Sequence, residues 1–197
     1  MYYPIMLDME GKRAVIFGGG PVAFRKMKNL LRSGARIRLV SPEFIEDFEA
    51  YSSRLELVRD SYRVKYLEAV DLVIGATSNR GVNETIARDA RELGILANIV
   101  DSRELSDFIS PSLVDTGTIL MAISTKGSYP ALSKLIRKDL EERYKKYDEE
   151  YIGMLEKIRK EVLVNHSGRK EELLTKALSL NINELKEFYI KLQKCNL

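Results

Sequence analysis

The sequence predicts an α/β fold: a parallel β-sheet flanked by helices, then a dimerisation segment and a small C-terminal helical domain. Short apolar, β-branched runs recur about every 20 residues, as in consecutive β-α-β units. Apolar residues at helical spacing fill the intervals between them. Three consecutive glycines separate the first strand run from the first helix, which is typical of a tight turn after a buried strand.

Each strand and helix of this sheet has its own local signals. Arg13–Phe17 is an apolar run that ends at the glycines, and the helix opened by Pro21 continues to Leu31 and closes at Gly34. A second helix, Val82–Leu93, is followed by Gly94. The other strands are predicted at Ile37–Val40, Leu55–Val58, Asp71–Gly75 and Leu96–Val100.

The pattern changes after Pro111. Thr118–Ser124 is predicted to be a strand, and a helix follows from about Pro130 to Tyr147. Because this unit follows a complete five-strand pattern and needs an apolar partner, we expect it to form a domain-swapped or intertwined homodimer. The charged remainder predicts two or three short helices. The predicted domains are 1–111 for the sheet, 112–147 for dimerisation and 148–197 for the helical domain.

Composition and charge exclude several classes of protein. Hydrophobic residues at 45% and charged residues at 31% describe an ordinary globular chain, and the first residues match neither a signal peptide nor a membrane span. The net charge of +3 is too small to indicate nucleic acid. Cys195 is the single cysteine, which excludes an internal disulfide and a cysteine-based metal site, and the single histidine, His166, is assigned no role. We expect a cytoplasmic protein that binds no metal, membrane or nucleic acid.

The turn after the first strand carries a dinucleotide-binding pattern, G-x-G-x-x-A, between a strand and a helix. The first glycine permits the tight turn, the last lets a pyrophosphate approach the backbone, and the alanine lets the helix pack close to the strand. The helix N-terminus favours that negative charge. A turn without ligand and an S-adenosylmethionine site are the alternatives, and the x-x-A continuation favours a dinucleotide in a Rossmann-type domain. The residues assigned to the cofactor are Gly18, Gly19, Gly20, Pro21, Val22 and Ala23.

Further candidates follow the other strands, because ligands of open parallel sheets bind at the carboxyl ends of the strands. Glu43, after Pro42, is the nearest acid for the ribose hydroxyls of a dinucleotide, although it lies two residues beyond the usual place. It can equally charge the first turn of the next helix. Thr77, after the fourth strand, can bind the cofactor or only fix its own loop.

Asp101 is the carboxylate directly after the fifth strand, where it can face a bound nicotinamide and accept a proton. Asp101 and Glu104 also have the spacing of a capping box for a short helix. Spacing alone slightly favours the cap over a catalytic role.

Several runs between residue 3 and about residue 145 match one known family in order and spacing. They are Tyr3–Asp8 with Gly11 and Lys12, Gly18–Lys26, Ala35–Pro42, Gly75–Thr77 with Asn83, Asn98–Asp101, Asp107–Ile109 with Pro111, and Ile123–Thr125 with Gly127 and Pro130. In these runs the chain resembles the precorrin-2 dehydrogenase and sirohydrochlorin ferrochelatase family, which includes the N-terminal region of siroheme synthases. The C-terminal tail resembles it only as a generic helical region.

The resemblance implies NAD as cofactor, with contacts around Pro21-Val22 and Pro42-Glu43, and a homodimer. It implies that Asp101 is important for oxidation, which favours the catalytic interpretation over the cap. A serine that is phosphorylated in some longer members of the family corresponds to Thr125 here. The chain also departs from the family at Ser106, where cysteine is common, at Ser110, where an apolar residue is usual, and at Tyr129, where serine is usual.

The predicted reaction is NAD-dependent oxidation of precorrin-2 to sirohydrochlorin, with Asp101 accepting or guiding the proton. The substrate carries many carboxylates, and the residues assigned to binding it are Arg25, Lys26, Asn98 and Lys126. Each of the three cations, Arg25, Lys26 and Lys126, can equally be a solvated surface charge. Two alternatives remain: a bifunctional enzyme that also inserts ferrous iron, and a non-catalytic Rossmann module that senses NAD.

Overall fold

The chain divides into two compact units, Met1–Ser110 and Pro111–Leu197. The computed structural model describes residues 2–100 and 102–194. The first unit is an α/β sheet domain, and the second combines a hairpin with four helices.

The first unit is built on a sheet of five parallel strands, which confirms the predicted α/β class. The strands are β1 (Arg13–Phe17), β2 (Arg36–Val40), β3 (Glu56–Val58), β4 (Leu72–Gly75) and β5 (Leu96–Ile99). Their order in the sheet is β3-β2-β1-β4-β5. The chain therefore winds in one direction from β1 to β3 and in the other from β4 to β5. This switch between β1 and β4 opens a crevice at the carboxyl ends of the strands, where such folds bind ligands.

Helices α1 (Pro21–Arg32) and α2 (Arg80–Glu92) begin and end at local signals. Pro21 occupies the first turn of α1, where its missing N–H costs nothing, and Gly34 after the helix has a left-handed φ of +78°. Helix α2 begins two residues earlier than predicted because the Asn79 side chain caps it, accepting a hydrogen bond from the Val82 N–H at 3.1 Å. Two 3₁₀ segments, Glu46–Arg54 and Val64–Leu67, complete the connections.

The core of this unit forms two layers, one on each face of the sheet. Ile16 and Leu39 pack with Met27 of α1 on one face, while Phe17 packs with Ile86 of α2 on the other. Successive residues of a strand point to opposite faces, so strands covered on both sides are apolar throughout. This is why the strand signals are continuous rather than alternating.

The second unit begins with an antiparallel hairpin and continues as helices, which confirms the helical C-terminal region. Its elements are β6 (Ser112–Asp115), β7 (Leu120–Ile123), α3 (Pro130–Tyr144), α4 (Glu149–Asn165), α5 (Lys170–Leu178) and α6 (Ile182–Gln193). Helix α3 packs against β6. Helices α4, α5 and α6 share a core that includes the fully buried Ile158, Leu173 and Leu185. Within the described residues, no helix has the length and apolar character needed to cross a bilayer.

The hairpin differs from the sequence expectation. Strand β6 was not anticipated because only Leu113 and Val114 are apolar in it, and β7 is shorter than the predicted Thr118–Ser124. Thr118 lies in the turn instead, where its hydroxyl donates to the Tyr147 carbonyl at 2.8 Å. Helix α3 ends at Tyr144 rather than Tyr147.

Candidate functional site

The first two glycines of the turn after β1 are required by packing. Gly18 has a φ of +130°, and a Cβ there would lie 2.4 Å from the Ala76 carbonyl oxygen. A Cβ on Gly19 would lie 1.8 Å from the Glu43 carbonyl oxygen, and the Gly19 carbonyl accepts a hydrogen bond from the Ile45 N–H at 3.0 Å. The turn is therefore pressed between the loops that follow β2 and β4, and only glycine fits at either position.

Gly20 is different, because a Cβ there would meet no atom within 4 Å. Its φ of −96° and ψ of −175° are extended values that any residue adopts. It caps α1 without a side-chain bond, and the first turn of α1 carries no acidic residue. The N–H groups of Val22 and Ala23 precede the first helical bond, from Phe24 to Gly20 at 3.0 Å. Ala23 is fully buried, so the open space beside Gly20 and the Val22 N–H are what fit a pyrophosphate.

Glu43 lies at the mouth of this turn. Both Pro42 and Glu43 are exposed, and among the described residues the Glu43 carboxylate makes no hydrogen bond or ion pair. The nearest helix is the 3₁₀ segment from Glu46, whose preceding residue, Ile45, gives it no side-chain cap. Glu43 therefore caps nothing described, and its carboxylate remains available for ribose hydroxyls, at the position the sequence assigned to it.

A cavity of about 350 Å³ lies beside the same loop, and the sequence analysis did not anticipate it. It is lined by Phe44, Ile45, Phe48, Glu49, Leu57 and Arg59. The Arg59 guanidinium lies 5.9 Å from the centre of the Phe44 ring. Phe44 follows β2 and Arg59 follows β3, so the cavity continues the row of strand ends that begins at the glycines. In the sequence, the apolar pair Phe44-Ile45 was the signal that could have indicated this cavity.

Thr77 fixes its own loop, which was one of the two predicted alternatives. Its hydroxyl donates to the Asn83 Oδ1 at 2.8 Å, and its N–H reaches the same oxygen at 3.2 Å. The Asn83 amide returns a bond to the Thr77 carbonyl at 3.1 Å. Asn83 is buried, so this loop is held against the start of α2.

The structure brings two of the predicted substrate-binding residues together. The Lys26 ammonium donates to the Asn98 Oδ1 at 2.8 Å and to the Ser110 hydroxyl at 2.7 Å. The buried Asn98 side chain also donates to the Phe108 carbonyl at 2.9 Å. A charged nitrogen is therefore held by a rigid amide near the carboxyl end of β5. Arg25, the neighbour of Lys26, is exposed on α1.

Asp101, the predicted catalytic residue, lies outside the described residues. Pairing with β4 extends as far as Val100, whose N–H donates to the Gly75 carbonyl at 2.9 Å. Residues 102–110 form turns and bends without a helix, so the capping-box interpretation has no helix there to cap. No three His, Cys, Asp or Glu residues within 2–100 and 102–194 are grouped so that they could hold a metal ion.

The glycine turn and the loops around it lie within residues 5–112, which match a sequence model of a family described as putative NAD(P)-binding. The chain belongs to this family. Its NAD(P)-binding character agrees with the cofactor predicted from the glycine turn and the resemblance.

Known proteins similar to the chain support the same assignment. The siroheme synthase 2 of Aeromonas hydrophila subsp. hydrophila is 37% identical over 140 residues, which are 71% of this chain and 30% of that protein. The siroheme synthase of Nitrosomonas eutropha is 38% identical over 143 residues, with the same coverage of 71% and 30%. The chain thus spans about a third of the length of these relatives.

A solved structure described as SirC, precorrin-2 dehydrogenase, matches with a TM-score of 0.75 and 29% identity, over 98% of this chain and 100% of that one. These comparisons confirm the predicted resemblance to the precorrin-2 dehydrogenase and siroheme synthase family.

Three residues singled out in the sequence lie in the second unit of this NAD(P)-binding family member: Lys126, Thr125 and His166. Lys126 is exposed in the loop before α3 with a φ of +54°. The hydroxyl of Thr125 accepts a bond from the Tyr129 N–H at 3.2 Å and lies 3.1 Å from the Ser133 hydroxyl. His166, to which the sequence analysis assigned no role, is half-buried, and its Nε2 lies 3.1 Å from the Leu192 carbonyl oxygen. His166 therefore links the end of α4 to α6.

Proposed function

We propose that this chain oxidises precorrin-2 to sirohydrochlorin with NAD⁺ in siroheme biosynthesis. The observation that carries the proposal is the likeness to SirC, because it extends over nearly the full length of both chains at 29% identity. The siroheme synthase relatives agree, since the matched segment is a part of proteins named for the same pathway product.

The glycine turn is proposed to hold the cofactor. The space beside Gly20 and the N–H group of Val22 receive the pyrophosphate, and the Glu43 carboxylate receives the adenosine ribose. The cavity beside Phe44 is proposed to receive the adenine ring, because its lining combines the apolar residues Phe44 and Ile45 with the polar groups of Glu49 and Arg59. When bound, NAD⁺ supplies the hydride acceptor. The protein's own contribution would be to hold the cofactor at the carboxyl ends of the strands.

Asp101 is proposed to accept the proton that accompanies hydride loss. In the balanced reaction, a C–H bond of the reduced macrocycle gives up its electron pair as hydride and a second hydrogen leaves as a proton, yielding sirohydrochlorin, NADH and H⁺. Asp101 follows the last residues of β5 in the sequence, and a carboxylate can accept such a proton. Lys26, held by Asn98, is proposed to bind a substrate carboxylate, with Arg25 and Lys126 as further cations.

A homodimer is also proposed, formed through residues 112–147. Leu120 on β7 is 50% exposed, and Leu135 on α3 is 65% exposed. Apolar side chains this exposed on neighbouring elements favour burial against a second copy. The reaction is proposed to take place in the cytoplasm.

Anaerobic incubation of the chain with precorrin-2 and NAD⁺ tests the proposal. The expected result is stoichiometric NADH and the absorption spectrum of sirohydrochlorin. NAD binding without NADH formation would identify a sensing module and overturn the dehydrogenase. Ferrous iron added afterwards, with buffer lacking protein as control, shows whether siroheme forms faster than without the chain.

A further inference from the structure

The segment after β5 folds back along the outer edge of that strand. The Asp107 N–H donates to the Ala97 carbonyl at 2.9 Å, and the Asp107 Oδ2 accepts from the Ala97 N–H at 2.9 Å. Asp107 thus anchors the far end of the returning segment through both its backbone and its side chain. Nothing in this anchor involves the residues at the end of β5.

Ser106 makes a second, separate connection. Its hydroxyl accepts from the Ile99 N–H at 2.9 Å and donates to the Ser102 carbonyl at 2.7 Å. The Ser102 N–H in turn donates to the Ile99 carbonyl at 3.2 Å. One half-buried hydroxyl therefore bonds to both residues that flank positions 100 and 101.

We propose that Ser106 is a positioning residue that fixes the turn between Ile99 and Ser102 and thereby supports the proton transfer assigned to Asp101. This inference rests on the proposed function, in which Asp101 accepts the proton. Proton acceptors must be held within a fraction of an ångström of their productive position, and a small displacement costs much of the rate. A hydroxyl is suited to this role because it accepts and donates at once. An alanine would leave both Ile99 and Ser102 without that partner.

The bonds predict which properties change and which do not. Without the Ser106 hydroxyl, Asp107 still anchors the segment to Ala97, so the fold and the glycine turn remain. The turn between Ile99 and Ser102 loosens, which affects the chemical step rather than NAD binding. A merely structural serine would instead lower thermal stability with no selective effect on kcat.

The test compares Ser106→Ala, Ser106→Thr and Ser102→Ala in the full chain. Ser102 is the matched control, because its backbone is bonded but its side chain makes no hydrogen bond among the described residues. We expect Ser106→Ala to lower kcat for precorrin-2 oxidation roughly tenfold or more with unchanged KM for NAD⁺. Ser106→Thr, which keeps the hydroxyl, restores kcat, and Ser102→Ala leaves it unchanged.

Amide hydrogen exchange gives a second readout that needs no activity. In Ser106→Ala the Ile99 amide should exchange about tenfold faster, while the Ala97 amide, held by Asp107, keeps its protection. Unchanged exchange at Ile99 would overturn the connection itself. Faster exchange with a normal kcat would overturn the positioning role. If the wild-type chain forms no NADH, the proposed function fails and the catalytic part of this inference fails with it, whatever the exchange shows.

Discussion

Gly20→Asp separates cofactor binding from folding. Position 20 has extended backbone angles and empty space where a Cβ would lie, so the fold accepts a side chain there. Aspartate is also a better helix N-cap than glycine, so we expect it to preserve the stability of α1 or raise it by a few tenths of a kcal/mol, on the order of the usual difference between these caps. The same carboxylate would occupy the space assigned to the pyrophosphate.

The loss of affinity can be estimated from charge alone. Two unit charges about 5 Å apart repel by about 3 kcal/mol at an effective dielectric constant of about 20. That energy corresponds to roughly a hundredfold weaker binding, before any steric exclusion is counted. Gly20→Asn separates the two causes, because it has nearly the same shape as aspartate and no charge.

Isothermal titration with NAD⁺ and thermal unfolding without it measure both quantities on the same samples. We expect Gly20→Asp to unfold at or above the wild-type temperature and to bind NAD⁺ at least a hundredfold more weakly. Gly19→Ala is the opposite control, because its Cβ would lie 1.8 Å from the Glu43 carbonyl oxygen and should destabilise the fold. Wild-type affinity in Gly20→Asp would refute the location of the pyrophosphate.

Three further predictions concern the proton acceptor, the assembly and alkaline pH. Asp101→Asn and Asp101→Ala should both lower the rate of sirohydrochlorin formation by roughly a hundredfold or more with NAD binding retained, and a near-normal rate for the asparagine variant would exclude Asp101 as the base. Sedimentation at micromolar concentration should show a dimer that Leu135→Glu dissociates, whereas a wild-type monomer would contradict the role of residues 112–147. Burial, and then the hydrogen bond of 2.6 Å that the Tyr62 hydroxyl donates to Asp89, raise the pKa of Tyr62. Because folding raises this pKa, the stability that the protonated Tyr62 hydroxyl contributes is complete below the unfolded pKa of about 10 and is lost as pH rises above it. The melting temperature of Tyr62→Phe should therefore fall less at alkaline pH than that of the wild type. An equal fall in both proteins would contradict this role of Tyr62.

Local signals were sufficient for most of the sheet unit. Strand β1 has the predicted bounds, because β-branched residues stand between a charged residue and a glycine turn. Both main helices end two residues before a glycine with a left-handed φ, +78° at Gly34 and +71° at Gly94. In each case the deciding interaction lies within a few residues of the signal. Interactions between residues so close in the chain can be predicted from a single sequence.

Contacts between distant residues could not be predicted in the same way. Lys26 meets Ser110, which is 84 positions away in the chain, so its surroundings depend on the finished sheet. Spacing alone also could not decide whether Thr77 binds the cofactor or fixes its own loop. In the structure its hydroxyl donates to the side chain of the buried Asn83, six positions later. Strand β6 has two apolar residues and becomes a strand only by pairing with β7.

The outer edge of β5 is not open to pairing with a further strand. Side chains of Asp107 and Ser106 already bind the N–H groups of Ala97 and Ile99, so an added strand would find no donor free at these two positions. The segment that follows Ser110 does not extend this sheet, and the second unit has a hairpin and a hydrophobic core of its own. In the siroheme synthases, the matched segment occupies about 30% of a much longer chain.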